Sequence, residues 1–323
     1  MNPNWQGKPY YSLDAYCKNT FHHKCYKIAL NAHMTCPNRD GTLDTRGCIF
    51  CSAGGSGDFA VNGGSSIEQQ IADGLSLFGE KKTGDHFIAY FQAFTNTYAP
   101  INYLERIYRE ALDSPMICGI SIATRPDCLP EEVLQLLGRL HQEYPQKFIW
   151  IELGLQTIHE HTATFIRRGY SLSYFESAMM QLHAMEIPVI VHVILGLPGE
   201  IPADMLATID YLNQWHPFGI KLQLLHVLEH TDLAVHYRNG DFQTLTKEEY
   251  LDILIQCLTH LSPDIVIHRV TGDGPKELLI SPKWSCHKRD VLNSLHKQMK
   301  EKNAYQGKNY KKEMDDTKCF KTL

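Results

Sequence analysis

Three cysteines near the start of the chain carry its most specific chemistry. Cys36, Cys48 and Cys51 fall in the stretch CPNRDGTLDTRGCIFC, the last two as a C-x-x-C pair and the first separated from them by eleven residues. Thiolates suit soft or borderline metals, so iron–sulfur and zinc are the candidates. An iron–sulfur cube held by three cysteines leaves one iron without a protein ligand, open to a small molecule. Zinc wants four ligands, and His33, three residues before Cys36, completes an H-x-x-C and C-x-x-C quartet. Pro37, Asn38, Asp40, Gly41, Asp44 and Gly47 are turn formers, so the segment reads as a loop able to wrap either centre. On this loop alone both readings stand.

The other cysteines carry less. Cys118 and Cys257 lie in apolar runs and read as core thiols. Cys17 and Cys25, a C-x7-C pair around His22 and His23, could form a second metal site but read better as incidental. Cys128 follows a strand end, and Cys286 and Cys319 show no metal pattern.

These residues need a scaffold, and the chain alternates short apolar runs with longer amphipathic ones. Runs rich in β-branched and aromatic residues predict strands over 27–33, 86–92, 117–123, 148–154, 189–195 and 220–226. Helical patterns fall between them. Pro130 precedes Glu131 and Glu132, acids that favour the positive end of a helix dipole, and Val133, Leu137 and Leu140 share a face. Met205, Ile209 and Leu212 repeat that spacing after Pro202, and Thr246 with Glu249 makes a capping box. Six β-then-α units demand a parallel sheet, as a partial barrel or an open doubly wound sheet. Both bind ligands at the carboxyl ends of their strands.

The 323 residues, 43% hydrophobic and 21% charged, suit one large α/β domain or two small ones. No apolar run approaches a membrane span and the N-terminus has no signal-peptide core, so no membrane association and a cytoplasmic, reducing location are expected. The ten cysteines are then ligands or core thiols rather than a disulfide framework. Net charge is −5, yet from His296 onward eight lysines face four acids. Such a basic tail is either a nucleic-acid arm or, as read here, a solvated terminus.

Eight segments in order resemble the radical S-adenosylmethionine (SAM) enzymes, and more closely the YhcC/YtqA group, itself similar to the radical domain of the elongator catalytic subunit. They are CPNRDG with GCIFC, YFQAFTNTYAP (90–100), SIATRPDCL (121–129), IELGLQT (151–157), RRGYS (167–171), HVILGLPGE (192–200), KLQLLHVLEHT (221–231) and RVTGDGPKELLISPKW (269–284). The eleven-residue cysteine spacing departs from the superfamily's usual three but is shared by this group. The resemblance implies an α/β fold, a partial (β/α)6 TIM-like barrel. It divides the chain into an N-terminal extension (1–25), a radical SAM core with extra C-terminal elements (26–288) and a Lys-rich C-terminal helix or tail (289–323).

The resemblance also implies two cofactors: a [4Fe-4S] cluster on Cys36, Cys48 and Cys51, and SAM chelated to its open iron and cleaved to a 5′-deoxyadenosyl radical. Phe50 is then expected near the adenine. Gln92, Thr95 and Asn96 stand where the family holds the SAM amino group, although its usual Gly-Gly-Glu is absent. Gln156 and Arg168 are expected at the ribose and carboxylate, and Gly196 and Pro198 of the GLPG turn near the adenine. Arg125 and Glu152 are either SAM contacts or form a structural ion pair. His192, Lys221, His226 and His230 are unremarkable singly, and Asp273 is a substrate contact or a turn residue. The implied substrate is tRNA, modified on the C5 side chain of its wobble uridine. The implied partners are a one-electron donor of flavodoxin or ferredoxin type and a downstream methyltransferase. The alternatives are a radical SAM enzyme acting on a tetrapyrrole-like small molecule, and a metal-binding or redox-sensing protein without enzymatic activity.

Overall fold

A computed structural model describes residues 2, 5–55, 66–78, 86–272 and 274–311. Its strands are β1 (Cys25–Leu30), β2 (His86–Phe91), β3 (Ile117–Thr124), β4 (Phe148–Gln156), β5 (Val189–Leu195), β6 (Gly219–Leu224), β7 (Val227–Leu228), β8 (Val266–Arg269) and β9 (Leu279–Ser281). Seven of them pair in parallel in the order β1-β2-β3-β4-β5-β6-β8, while β7 and β9 form a small antiparallel ladder. Sheet order follows chain order throughout. A doubly wound sheet would reverse direction at a switch point; this one does not. The sheet curls into an open half-barrel.

The helices are α1 (Leu13–Phe21), α2 (Ile67–Phe78), α3 (Ile101–Asp113), α4 (Glu131–Glu143), α5 (Glu160–Phe165), α6 (Leu172–Ala184), α7 (Pro202–Trp215), α8 (Asp232–Asn239), α9 (Lys247–His260) and α10 (Lys288–Glu301). Local signals set several boundaries as expected. Pro130 is the N-cap of α4 with both glutamates in its first turn, α7 starts at Pro202, and Thr246 with Glu249 forms the capping box of α9. The seventh parallel strand, β8, was not anticipated. It has four residues, too few to show a period of two.

Alternation along the strands separates two environments. One sheet face, with Phe87, Ala89, Phe91, Ile120, Ile122, Ile151, Leu153, Val191 and Val193, packs against the helices in the main core. The other faces the barrel interior. At the amino ends of the strands that interior is sealed by Ile88, Trp150 and Ile190, against which Tyr16 of α1, Phe148 and Phe218 pack. Trp150 stacks on Phe148 at 3.9 Å between centroids, and Phe218 and Tyr16 close the group at 5.1 and 6.1 Å from it. Among the described residues, the cavity of this interior is lined at the carboxyl ends.

The C-terminal segment corrects one expectation. Leu295 and Met299 of α10 are fully buried, so the start of the basic stretch is packed rather than solvated. Gln306, also buried, donates to the carbonyls of Ser262 and Ile265 at 2.7 and 2.8 Å, and its oxygen accepts from Tyr11 N at 2.9 Å. Cys319 and the rest of the tail lie outside the described residues, as does Asp273. Among the described residues no helix is long and apolar enough to cross a membrane.

Candidate active site

A cavity of about 250 Å³ occupies the carboxyl end of the half-barrel, and Cys36, Cys48, Cys51 and Phe50 all line it. The loop after β1 is therefore shaped to bring three thiols to one space. Asn38 holds it from below: its Nδ2 donates to the carbonyls of Arg167 and Arg168 at 2.8 and 3.3 Å and lies 3.5 Å from Cys48 Sγ. Arg39 Nη2 donates to the carbonyls of Cys51 and Ser52 at 2.9 and 2.6 Å. Ile49 N donates to Ile166 O at 3.2 Å, and Ile49 O accepts from Leu233 N at 2.9 Å. At Gly55, where φ is +59°, a Cβ would stand 2.3 Å from the Phe94 ring, so only glycine lets this loop lie against the segment after β2.

His33 is exposed and absent from the cavity wall, so the zinc quartet is not assembled. Among the described residues no three His, Cys, Asp or Glu side chains form a single-ion site. Burial pushes the Cys48 thiol up to about 12, with neighbouring Cys51 adding to the rise; a thiolate there calls for a compensating cation. Three cysteines on one wall are the donor set that an iron–sulfur cube with an open iron requires.

Gln92, Thr95, Arg125, Glu152, Gln156 and Arg168 also line the cavity. Gln156 ends β4 at a bulge, in a left-handed conformation with φ +68°, and its side-chain oxygen is buried without a hydrogen-bond partner. Such a conformation costs about 1–3 kcal/mol and marks ligand sites. Gly154 makes room, since a Cβ there would stand 2.9 Å from Gln156 Nε2.

The two arginines are spent on the protein. Arg125 pairs with Asp127 through two contacts of 2.9 and 2.7 Å and donates to Arg168 O at 3.0 Å. Arg168 is 2% exposed and donates to the carbonyls of Leu155, Thr157 and Tyr170 and to Glu160. Both guanidiniums sit 4.9 Å from the Tyr170 ring centroid. The Arg168 fork, at the cavity wall, braces the turn after β4.

Three expected residues are not brought to the cavity. Asn96 is fully buried behind the wall, with its Nδ2 donating to Ala123 O at 3.0 Å. Gly196, at φ +85°, turns the chain against Leu245, and neither it nor Pro198 lines the cavity.

Below the thiols lies a belt to which every strand of the main sheet contributes one polar side chain: Lys27, Tyr90, Ser121, Glu152, His192, Lys221 and Arg269. Parallel register staggers them into one layer, with Tyr90 opposite Ser121, His192 opposite Lys221 and Lys221 opposite Arg269. The buried Glu152 carboxylate is the hub. It accepts from Lys27 at 2.7 Å, Ser121 at 2.6 Å and His192 Nε2 at 2.7 Å, and from Lys221. Lys221 also donates to Tyr90 OH at 3.0 Å. Burial alone would raise Glu152, but Lys221, Lys27 and the His192 bond hold it well below the usual carboxylate range. Burial and the Lys221 charge push His192 down to about 4. The ring is therefore neutral, with a proton on Nε2 for Glu152 and Nδ1 accepting from Gln223 at 3.4 Å.

Glu152 thus belongs to an ion network, though not with Arg125. Lys27, Tyr90, Ser121 and Arg269 went unread, but Lys27 and Ser121 did carry a signal, a polar residue inside an apolar run, as in CYKIAL and ICGISIAT.

Comparison with known proteins places this geometry. Residues 45–212 match the Radical SAM superfamily and residues 217–301 the Radical_SAM C-terminal domain. The YtqA protein of Bacillus subtilis is 40% identical over 301 residues, covering 93% of this chain and 92% of that one. The tRNA uridine(34) acetyltransferase of Methanocaldococcus jannaschii is 26% identical over 165 residues, covering 50% of this chain and 29% of its own. The solved structure of Methanocaldococcus infernus Elp3 with an N-terminal deletion superposes with a TM-score of 0.67 over 87% of this chain and 64% of that one, at 16% identity, which shows the shared fold. The chain is a radical SAM enzyme of the YhcC/YtqA group, a family that uses a [4Fe-4S] cluster and SAM.

Proposed function

We propose that this enzyme acts on RNA and remodels the C5 side chain of the wobble uridine in tRNA. The single observation carrying the reading is the likeness of half the chain to a tRNA uridine(34) acetyltransferase, set beside a cavity that opens where a flipped base could enter.

Cys36, Cys48 and Cys51 would hold the cluster. When bound, the cluster and SAM supply one-electron carbon–sulfur cleavage and a hydrogen-abstracting radical. The chain's own residues bind, orient and shield. The unpartnered oxygen of Gln156 accepts a hydroxyl or amine proton of SAM. Gln92 and Thr95, at the end of β2, offer oxygens to its amino group, and Phe50 covers the adenine with an apolar ring. Arg168 and Arg125 act by bracing the loops that carry Gln156 and the thiols. An external one-electron donor of flavodoxin or ferredoxin type would supply the electron, and a downstream methyltransferase would take the product onward.

Two measurements test this. Anaerobic reconstitution should give about four irons per chain and 5′-deoxyadenosine from SAM after reduction. Nucleoside mass spectrometry of tRNA from a strain lacking the gene should show an altered wobble uridine that the purified enzyme converts. Identical wobble nucleosides in both strains would sink the tRNA reading.

A further inference from the structure

Three further thiols meet at the sealed end of the half-barrel. Cys25 opens β1, Cys17 lies on α1 and Cys118 lies in β3. Phe87 pairs with Ile117 and Ile88 with Gly119, so Cys118 is an extra residue in the β2–β3 register. Cys25 and Cys118 both pack against Ile88, Trp150 and Ile190 of the seal. Cys25 makes side-chain hydrogen bonds with both Cys17 and Cys118, and Cys118 Sγ also lies 3.1 Å from Phe87 O. His86, opposite Cys25 in the β1–β2 ladder, stacks on His23 with 4.4 Å between ring centroids. Its Nδ1 is buried without a hydrogen-bond partner. Cys17 is 1% exposed, whereas Cys25 is half-buried and within reach of solvent.

Among the described residues these side chains form no single-ion site. A thiol cluster without a metal does redox chemistry when one member is a thiolate that solvent can reach beside a second thiol. Donation from Cys118 and Cys17, with His86 and His23 nearby, holds Cys25 well below the ordinary thiol range, against the opposing effect of burial. The bond to Cys25, together with burial, pushes Cys17 up and keeps it protonated. Backbone spacing chooses the partner. β2 separates β1 from β3, which places their backbones about 10 Å apart, beyond the roughly 7 Å that a disulfide spans. Cys118 is also held by Phe87 O. Helix α1 stands outside the ladder that fixes β1 and β3, so Cys17 is the thiol able to close on Cys25.

We propose that Cys25 and Cys17 form a dithiol–disulfide couple, a modification site at which Cys25 attacks a low-molecular-weight disulfide and Cys17 resolves the product. In the first step the Cys25 thiolate bonds to one sulfur of the reagent RSSR and expels RS⁻. In the second, Cys17 bonds to the Cys25 sulfur, the remaining RS group leaves, and the Cys17 proton departs with it as RSH. The two protein thiols are oxidised and the reagent is reduced to two thiols. Capping Cys25 removes the negative sulfur that keeps Cys17 protonated, so the first step prepares the second. The resulting bridge ties α1, whose Tyr16 packs on Trp150 and Phe218, to β1. It lies at the opposite end of the strands from Cys36, Cys48 and Cys51 and is independent of the substrate.

The test treats the reconstituted holoenzyme with glutathione disulfide under anaerobic conditions, blocks free thiols with N-ethylmaleimide and maps peptides without reduction. Wild type should yield a peptide pair joined through Cys17 and Cys25. Cys17→Ser should instead trap glutathione on Cys25, Cys25→Ser should leave Cys17 unmodified, and Cys118→Ser should still form the bridge. A wild-type map with Cys25 unmodified, with Cys25 joined to Cys118, or with glutathione on Cys25 and Cys17 free overturns the proposal. Those outcomes are scored on wild type and do not depend on a variant folding. The second measurement is the pH profile of Cys25 alkylation by iodoacetamide in the holoenzyme. Its rate should stay nearly level from pH 7 to pH 6, where that of free cysteine falls about tenfold. A parallel tenfold fall would make Cys25 an ordinary thiol and overturn its role as the attacking group.

Discussion

The two ends of the half-barrel interior are built from the same strands and could hardly differ more. At the amino ends Ile88, Trp150 and Ile190 meet Tyr16, Phe148 and Phe218 in a dry aromatic seal. Two residues further along the same strands stand Tyr90, Glu152 and His192, and beyond them the thiols and Gln156. In a parallel barrel the amino end supplies stability and the carboxyl end chemistry. Here the change occurs within two residues, so substitutions a single pleat apart should report on different properties.

The largest effect belongs to the carboxyl end. Cys36→Ala, Cys48→Ala or Cys51→Ala should each abolish 5′-deoxyadenosine formation, with iron content falling in parallel. Full cleavage by any one of them, with a full cluster, would break the ligand assignment. At the other end, Trp150→Ala removes a fully buried ring stacked on Phe148. It should cost about 3–5 kcal/mol of stability, read from denaturant unfolding of the unreconstituted chain.

Lys221→Met sits on the boundary and tests whether the belt belongs with the seal or the site. It leaves the buried Glu152 carboxylate one cation short, and removing one partner of a buried pair costs about 3–5 kcal/mol. Glu152→Gln with Lys221→Met should recover part of that, because the double variant buries less unpaired charge. No recovery would mean that the belt is not an electrostatic unit.

How legible each end was follows from how local its cause is. Helix starts at Pro130, Pro202 and Thr246 were readable because caps act over three or four residues. The thiols were readable because ligand spacing along one loop survives without knowledge of the fold. The first strand was expected over 27–33 but ends at Leu30, because the buried Gln70 side chain bonds the Asn31 backbone in both directions, at 2.9 Å each. That partner lies on α2, far away in sequence. The bracing contacts of Arg168 were illegible for a similar reason, since the carbonyls that take its donors converge only when the turn after β4 forms. The belt depended on the stagger between strands, which no single strand encodes.

A smaller effect isolates one strained residue at the carboxyl end. Gln156→Gly relieves the left-handed backbone and removes the orphaned amide oxygen together, whereas Gln156→Asn keeps an amide. The glycine variant should unfold no more easily than wild type, yet bind SAM about tenfold more weakly by equilibrium dialysis. Unchanged SAM affinity would remove Gln156 from the binding site.

The mildest test uses acid. His192 and His226 are both held near about 4 when folded, against an ordinary value of 6.5. Between those values the unfolded chain binds more protons than the native one, so stability rises with pH and is lost as pH falls through that window. Each histidine should contribute about 1 kcal/mol of loss between pH 7 and 5.5. Glu152, held low, joins only further down, as pH falls below the ordinary carboxylate range. His226→Asn removes one of these protons, and the buried Nε2 has no hydrogen-bond partner to lose. Its stability should therefore depend less steeply on pH by about one proton across the window. An unchanged slope would show that His226 is already charged in the folded chain, and that this corner of the cavity is wet, unlike the aromatic seal below it.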